Sequence, residues 1–154
     1  MEHEIHNLIS LHEVKHFLRV TSNIDDQLIK TLLETALFHL EGYLCRSIIQ
    51  KTYEEVLTKS KTYLKHTPVL EIQSVKAQSG RDISYNLEDN VIETAASEEP
   101  LIITYKGGLF AIKIPPELKV VLMEIVLLLY DSQSARESLN SILTKFNSLR
   151  NFRL

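Results

Sequence analysis

From residue 118 to residue 130 the chain is almost uniformly apolar, interrupted only by Lys119 and Glu124. These two charges are five positions apart, so at about 100° per residue they fall on different faces of a helix and make no single wet stripe. Ahead of the run stand Pro115 and Pro116, suited to a first helical turn whose N–H groups lack partners, and Glu117, suited to the positive end of the helix dipole. The pattern predicts a helix that is apolar nearly all the way round. Exposing one face would forfeit on the order of 10 kcal/mol, at roughly 1.5–3 kcal/mol per large side chain. Cover is therefore expected on both sides, from the rest of the chain and from neighbouring copies of it, with Val121, Met123, Ile125 and Leu128 as the expected contact residues between copies. The unbroken apolar stretch, residues 125–129, is far shorter than the roughly 20 residues of a membrane span.

Upstream the period is also helical. Ser10 and Glu13 have capping-box spacing and open a short helix to about Leu18, with Val14, Phe17 and Leu18 on one face. Thr21, Ser22 and Asn23 offer a second cap, followed by Asp25 and Asp26 in the first turn of a helix to about Leu44. That helix shows a wide apolar stripe through Leu28, Ile29, Leu32, Leu33, Ala36, Leu37, Leu40, Tyr43 and Leu44. Between residues 48 and 114 the period shifts toward two. Short strand-like runs at 52–57, 62–64, 69–77, 83–85, 91–94 and 101–105 are separated by turn signals around Pro68, Gly80, Asp89, Pro100 and Gly107. After a break at 131–134, Leu139, Ile142, Leu143, Phe146 and Leu149 predict a last helix over 135–149. The expected fold is mainly α, a bundle of about four helices with a small antiparallel β insertion between the second and third. It forms a single domain: a helical core of residues 10–47 and 115–149, the insertion 48–114 and a tail 150–154.

Composition narrows function more than fold. The 154 residues carry 17 Lys and Arg against 20 Asp and Glu, a net charge of −3, which gives no basic footprint for gripping nucleic acid. The first ten residues lack the basic and apolar regions of a signal peptide, and Cys45 is alone, so a reducing, cytoplasmic site of synthesis is expected. His12-Glu13-Val14-Lys15-His16 satisfies H-E-x-x-H and would place two imidazoles on one helical face, with Glu34, His39 or Glu41 as third-ligand candidates. Glu13, however, already has a cap to make. Lys106-Gly107-Gly108 lacks the remainder of a phosphate loop and reads as a turn. In the tail, Arg150 and Arg153 bracket Phe152. Together with Phe146 they make an aromatic and guanidinium set of the type enriched at binding hot spots, the expected docking element for a neighbouring protein.

The order of these pieces resembles a known family. Leu18-Arg19-Val20, Asp25-Asp26, Leu28, Ala36, Glu41-Gly42-Tyr43-Leu44, Arg46, Pro68-Val69, Tyr105, Gly107-Gly108 and Pro116-Glu117-Leu118-Lys119 are similar in order to the head–tail connector (adaptor) proteins of long-tailed bacteriophages. The resemblance implies a non-enzymatic protein without a cofactor or membrane association. It implies a homo-oligomeric ring, twelvefold as in relatives, that docks beneath the portal protein, meets a tail-completion protein and lets duplex DNA pass without sequence-specific binding. Such a protein is made in the bacterial host cytoplasm and ends in the virion at the head–tail junction. A mildly acidic chain suits a channel through which DNA must slide. Two other readings stand beside it: a zinc-dependent hydrolase built on His12, Glu13 and His16, and a small adaptor that binds protein partners through its last helix.

Overall fold

A computed structural model describes residues 5–131 and 141–144. They divide into two compact units, one built from the residues up to Cys45 and from Ile112 onward, the other from Arg46–Ala111.

The first unit is helical, with α1 (Ile5–Leu8), α2 (Leu11–Leu18), α3 (Asp26–Leu44) and α4 (Pro116–Tyr130). The capping box forms as expected: Ser10 N–H donates to Glu13 Oε2 at 2.8 Å, and Glu13 N–H donates to Ser10 Oγ at 3.2 Å. The second cap does not. α3 begins behind Asp25, whose side chain makes no cap bond, because the Ser22 hydroxyl is taken by Ile24 N–H in a local turn and Asn23 Oδ1 by Lys15 Nζ. α3 buries Ile29, Leu33, Ala36, Leu40 and Leu44, one narrow row at helical spacing. Leu28, Leu32, Leu37 and Tyr43, expected in the same stripe, are left half-buried or exposed. α4 starts with Pro116 in its first turn and buries Leu118, Val121, Leu122, Ile125, Val126 and Leu128. Of the expected last helix, residues 141–144 are helical and Leu143 is buried, while the rest lies outside the described residues.

Polar pins fix how these helices meet. Lys15 Nζ pairs with Asp26 Oδ1 at 2.7 Å, Lys119 Nζ with Glu13 Oε1 at 2.9 Å and His6 Nε2 with Glu34 Oε1 at 3.0 Å, and the Tyr130 hydroxyl donates to Asp25 Oδ2 at 2.6 Å. Partly exposed pairs of this kind contribute on the order of 1 kcal/mol each, little beside the buried apolar rows. The Asp25–Tyr130 bond brings the start of α3 to the end of α4.

The second unit is all β, and here the expected mainly helical bundle with a small insertion is overturned. Of the described residues 38% are helical and 28% strand, with two three-stranded antiparallel sheets, an α+β fold. One sheet runs β1 (Lys51–Leu57), β6 (Leu101–Gly107), β3 (Val69–Ala77); the other runs β2 (Lys61–Tyr63), β5 (Val91–Thr94), β4 (Tyr85–Glu88). β1 and β6 pair in unbroken register from Lys51↔Gly107 to Leu57↔Leu101. Alternation along both strands turns Tyr53, Glu55 and Leu57 inward with Leu101, Ile103 and Tyr105. Leu64, Val75, Ala77, Ile83 and Ile92 complete a core belonging to the sheets alone. That self-contained core is why the β segment is a unit rather than an embellishment of a helical bundle: it buries its own apolar face and needs no helix to do so.

Candidate functional site

The glutamate of the histidine pentapeptide is committed and its two histidines are open to solvent. Glu13 closes the cap and also meets Lys119, while His12 and His16 lie exposed with ring centroids 6.5 Å apart. Of the proposed third ligands, Glu34 bonds to His6 and His39 packs edge-on to Phe38. Among the described residues no group of three such side chains is placed to hold a metal ion. The Ser10 N–H bond, and after it Lys119, hold the Glu13 carboxyl below its ordinary value. A depressed carboxyl pKa contributes stability that is present above the unfolded value, near 4.5, and is lost as pH falls through the folded one. Replacing Glu13 with Gln should therefore flatten the acid limb of the stability profile below about pH 4.5. Ser10→Ala should cost about 1 kcal/mol, and His12→Ala with His16→Ala should leave the melting temperature unchanged; thermal melts at several pH values read all three.

The outward face of α4 is better defined. Of the four residues expected between copies, Val121 and Ile125 are completely buried within the chain and Leu128 is 9% exposed; Met123 is half-buried. The outward face of α4 instead presents Val120 and Leu127, 40% and 43% exposed, with Met123 between them. Positions 120, 123 and 127 follow the i, i+3, i+7 spacing of one stripe. At 100° per residue Lys119 and Glu124 flank this stripe on either side, and Lys119 reaches Glu13 from its edge. Phe146, Arg150, Phe152 and Arg153 lie outside the described residues. Among those described, no helix is long and apolar enough to cross a membrane.

In the β unit several of the residues that carry the family resemblance converge on one clasp. Gly108 N–H donates to Pro68 O at 3.0 Å, Ser47 N–H to Thr67 O at 2.9 Å and Leu109 N–H to Ser47 O at 3.0 Å. The end of β6, the 66–68 turn and the chain entering β1 are thereby stitched together. The backbones come so close that a Cβ on Gly107 would sit 2.5 Å from His66 O, and one on Gly108 would sit 2.2 Å from Ile49 O. The Lys-Gly-Gly turn is thus a point of close approach rather than a phosphate cradle. Beneath it the Tyr105 hydroxyl donates to Glu55 and accepts from His66 N–H at 3.1 Å, and Lys65 N–H donates to Glu55 Oε1 at 3.0 Å. The His66 ring stacks on Tyr53 at 3.7 Å, with Ser47 Oγ 3.0 Å from its Nδ1. Burial pushes the His66 imidazole below its ordinary value, so it is neutral at pH 7. Serine, histidine and a carboxylate meet here, yet Ser47 is 3% exposed and Glu55 is held by Tyr105 and Lys65, so the cluster is a latch inside the sheet.

Comparison with known proteins agrees with this architecture. The model of the family "Phage gp6-like head-tail connector protein" matches residues 8–110. A chain in the neck of an empty GTA particle, computed with C6 symmetry, superposes with a TM-score of 0.67 at 16% identity, over 81% of this chain and 78% of that one. The neck of a native GTA particle computed with C12 symmetry gives 0.65 at 13% identity, covering 88% and 86% of the two chains. The virion of a native gene transfer agent particle gives 0.64 at 14% identity, covering 89% and 88%. No curated protein matches. With that family model spanning well over half of its length, the chain belongs to the phage gp6-like head-tail connector protein family.

Proposed function

We propose that this connector works as a closed ring of identical copies, without catalysis, in the neck of a phage or gene-transfer particle. The ring sits below the portal protein, extends the DNA channel and offers a platform to a tail-completion protein. The family match over residues 8–110 carries this reading. The likeness in fold to chains from necks computed with C6 and C12 symmetry supports a ring, and twelve copies as its size. The apolar stripe of Val120, Met123 and Leu127 supports it from the side of physics, since such a face on a small unit gains by being covered. A net charge of −3 supports passage of duplex DNA rather than its capture. Synthesis in the host cytoplasm, followed by residence at the head–tail junction, completes the proposal.

The test is assembly. Purified protein added to DNA-filled capsids that carry a portal and lack a connector should give ring density below the portal by electron microscopy, and light scattering of the concentrated free protein should show self-association. Capsids that stay bare while the protein remains strictly monomeric would rule the reading out. The same assay tests the tail: with Phe146, Arg150, Phe152 and Arg153 as docking residues, deleting residues 151–154 should leave the unfolding midpoint in place and abolish ring assembly on capsids. A large drop in stability with assembly unimpaired would assign the tail to packing.

A further inference from the structure

α3 carries a second face that the described residues of its own unit do not use. Gln27, Leu28, Thr31, Thr35, Phe38 and Gly42 fall within one outward stripe at 100° per residue, and none is charged. The charged residues Lys30, Glu34 and Glu41 lie to one side of it. Phe38 is 73% exposed and Leu28 48%. From Leu28 to Gly42 the stripe is roughly 21 Å long at 1.5 Å per residue.

Two details separate this face from an ordinary wet helix surface. Thr31 Oγ1 donates to Gln27 O at 3.1 Å and Thr35 Oγ1 to Thr31 O at 2.9 Å. Each hydroxyl donor is satisfied inside the helix, so covering the stripe strands no donor and leaves the threonine methyl groups to make contact. Gly42 sits near the last turn of α3, where a Cβ would meet nothing within 4 Å. Glycine is the costliest residue after proline inside a helix, and no packing among the described residues requires it here. A body outside the chain that approaches the α3 backbone closely would require it.

The identity of that body follows from where the two stripes lie. α3 and α4 pack against each other, and each exposed stripe stands about half a turn away from the row its helix buries. Val120, Met123 and Leu127 on α4 and Leu28 to Gly42 on α3 are therefore two different outward patches of one unit. A ring needs a heterologous contact, two different patches on opposed sides of each copy, whereas a twofold dimer needs one patch that meets itself. We propose that the uncharged α3 flank of one copy receives the α4 stripe of the next, so that these two faces form the apolar centre of the subunit contact. The inference rests on the ring reading above and adds to it which surfaces meet. Both are largely uncharged, as the centre of an interface with a polar rim is.

Disulfide trapping tests it. In a Cys45→Ser background, Thr31→Cys or Phe38→Cys is combined in one chain with Val120→Cys or Leu127→Cys, and rings assembled on portal-bearing capsids are oxidised. At least one combination should give a ladder of linked copies up to ring size, while the single-cysteine variants give none. Separately, Gly42→Ala should raise the melting temperature and Gly42→Leu should lower ring yield at least tenfold with the monomer still folded. Phe38→Lys and Leu127→Glu should each lower the yield similarly and restore it when placed in the same chain. Full-size rings in which no combination links would overturn the assignment and leave the ring reading standing; failure to form rings with the unaltered chain would remove both. Single-cysteine dimers would show a self-facing contact, and protection of Phe38→Cys from a maleimide in the free monomer would show the flank covered by the chain's own segment. Either result overturns the proposal.

Discussion

Substituting Gly108 with Ala is expected to destabilise the β unit by about 3–5 kcal/mol, the range reserved for a few mechanisms such as backbone strain and steric overlap. Two of them act together here. Gly108 has φ +109°, a region that residues with a Cβ rarely adopt. The added methyl would also meet the carbonyl of Ile49 at 2.2 Å and Gln50 Cα at 2.8 Å, backbone atoms with no free rotor to swing aside. Relief requires parting the 47–50 segment from the end of β6, and with it the hydrogen bonds from Leu109 to Ser47 and from Phe110 to Ile48. Gly80 is the control. It also has positive φ, +90°, but a Cβ there meets nothing within 4 Å, so Gly80→Ala should cost only about 1 kcal/mol. Urea unfolding of the two variants side by side separates strain from clash. Equal midpoints would show that the clasp yields and that Gly108 is not a fixed point of the fold.

What could be read in the chain beforehand was local. The Ser10–Glu13 box lies within four residues, and the prolines before α4 set its start without help from elsewhere. The strand runs at 52–57, 69–77, 91–94 and 101–105 carry their alternation within themselves. Their weight in the fold was not legible, because a strand's burial depends on a partner far away: Leu57 meets Leu101, and the Tyr105 hydroxyl reaches Glu55 across 50 positions. In α4 the outward face is bracketed by Lys119 and Glu124, but the partner of Lys119, Glu13, lies 106 positions away and could not be read beforehand. Asp25 and Asp26 were legible as helix-dipole residues, yet their bonds go to Tyr130 and Lys15, a tertiary use that no spacing announces. α1 is only four residues long, with Ile5 its one buried residue, too short to register as a period.

Tyr105→Phe should cost about 2–4 kcal/mol although it removes a single oxygen. The ring is completely buried, and its hydroxyl both donates to Glu55 and accepts from His66 N–H. Phenylalanine fills the same space but leaves the Glu55 carboxylate, itself 9% exposed, with only Lys65 N–H, and leaves the His66 N–H without its acceptor. Leaving buried polar groups unsatisfied costs about 1–3 kcal/mol each, more for a charged one, whereas removing both partners together can be nearly neutral. The double variant Tyr105→Phe with Glu55→Gln should therefore recover part of the loss, because a neutral amide is cheaper to leave short of a donor than a carboxylate. The alkaline limb supplies a second readout. Burial first, and then the bond to Glu55, push the Tyr105 phenol well above its ordinary value of 10.0. A raised folded value means that the unfolded chain ionises first, so stability is full below about pH 10 and declines as pH rises above it. Tyr105→Phe removes that group and should flatten the decline between about pH 10 and 12, measured by urea midpoints against the parent chain. A variant as stable as the parent at pH 7 and equally sensitive to alkali would show that the hydroxyl is solvated in the folded protein and that the latch does not close on Glu55.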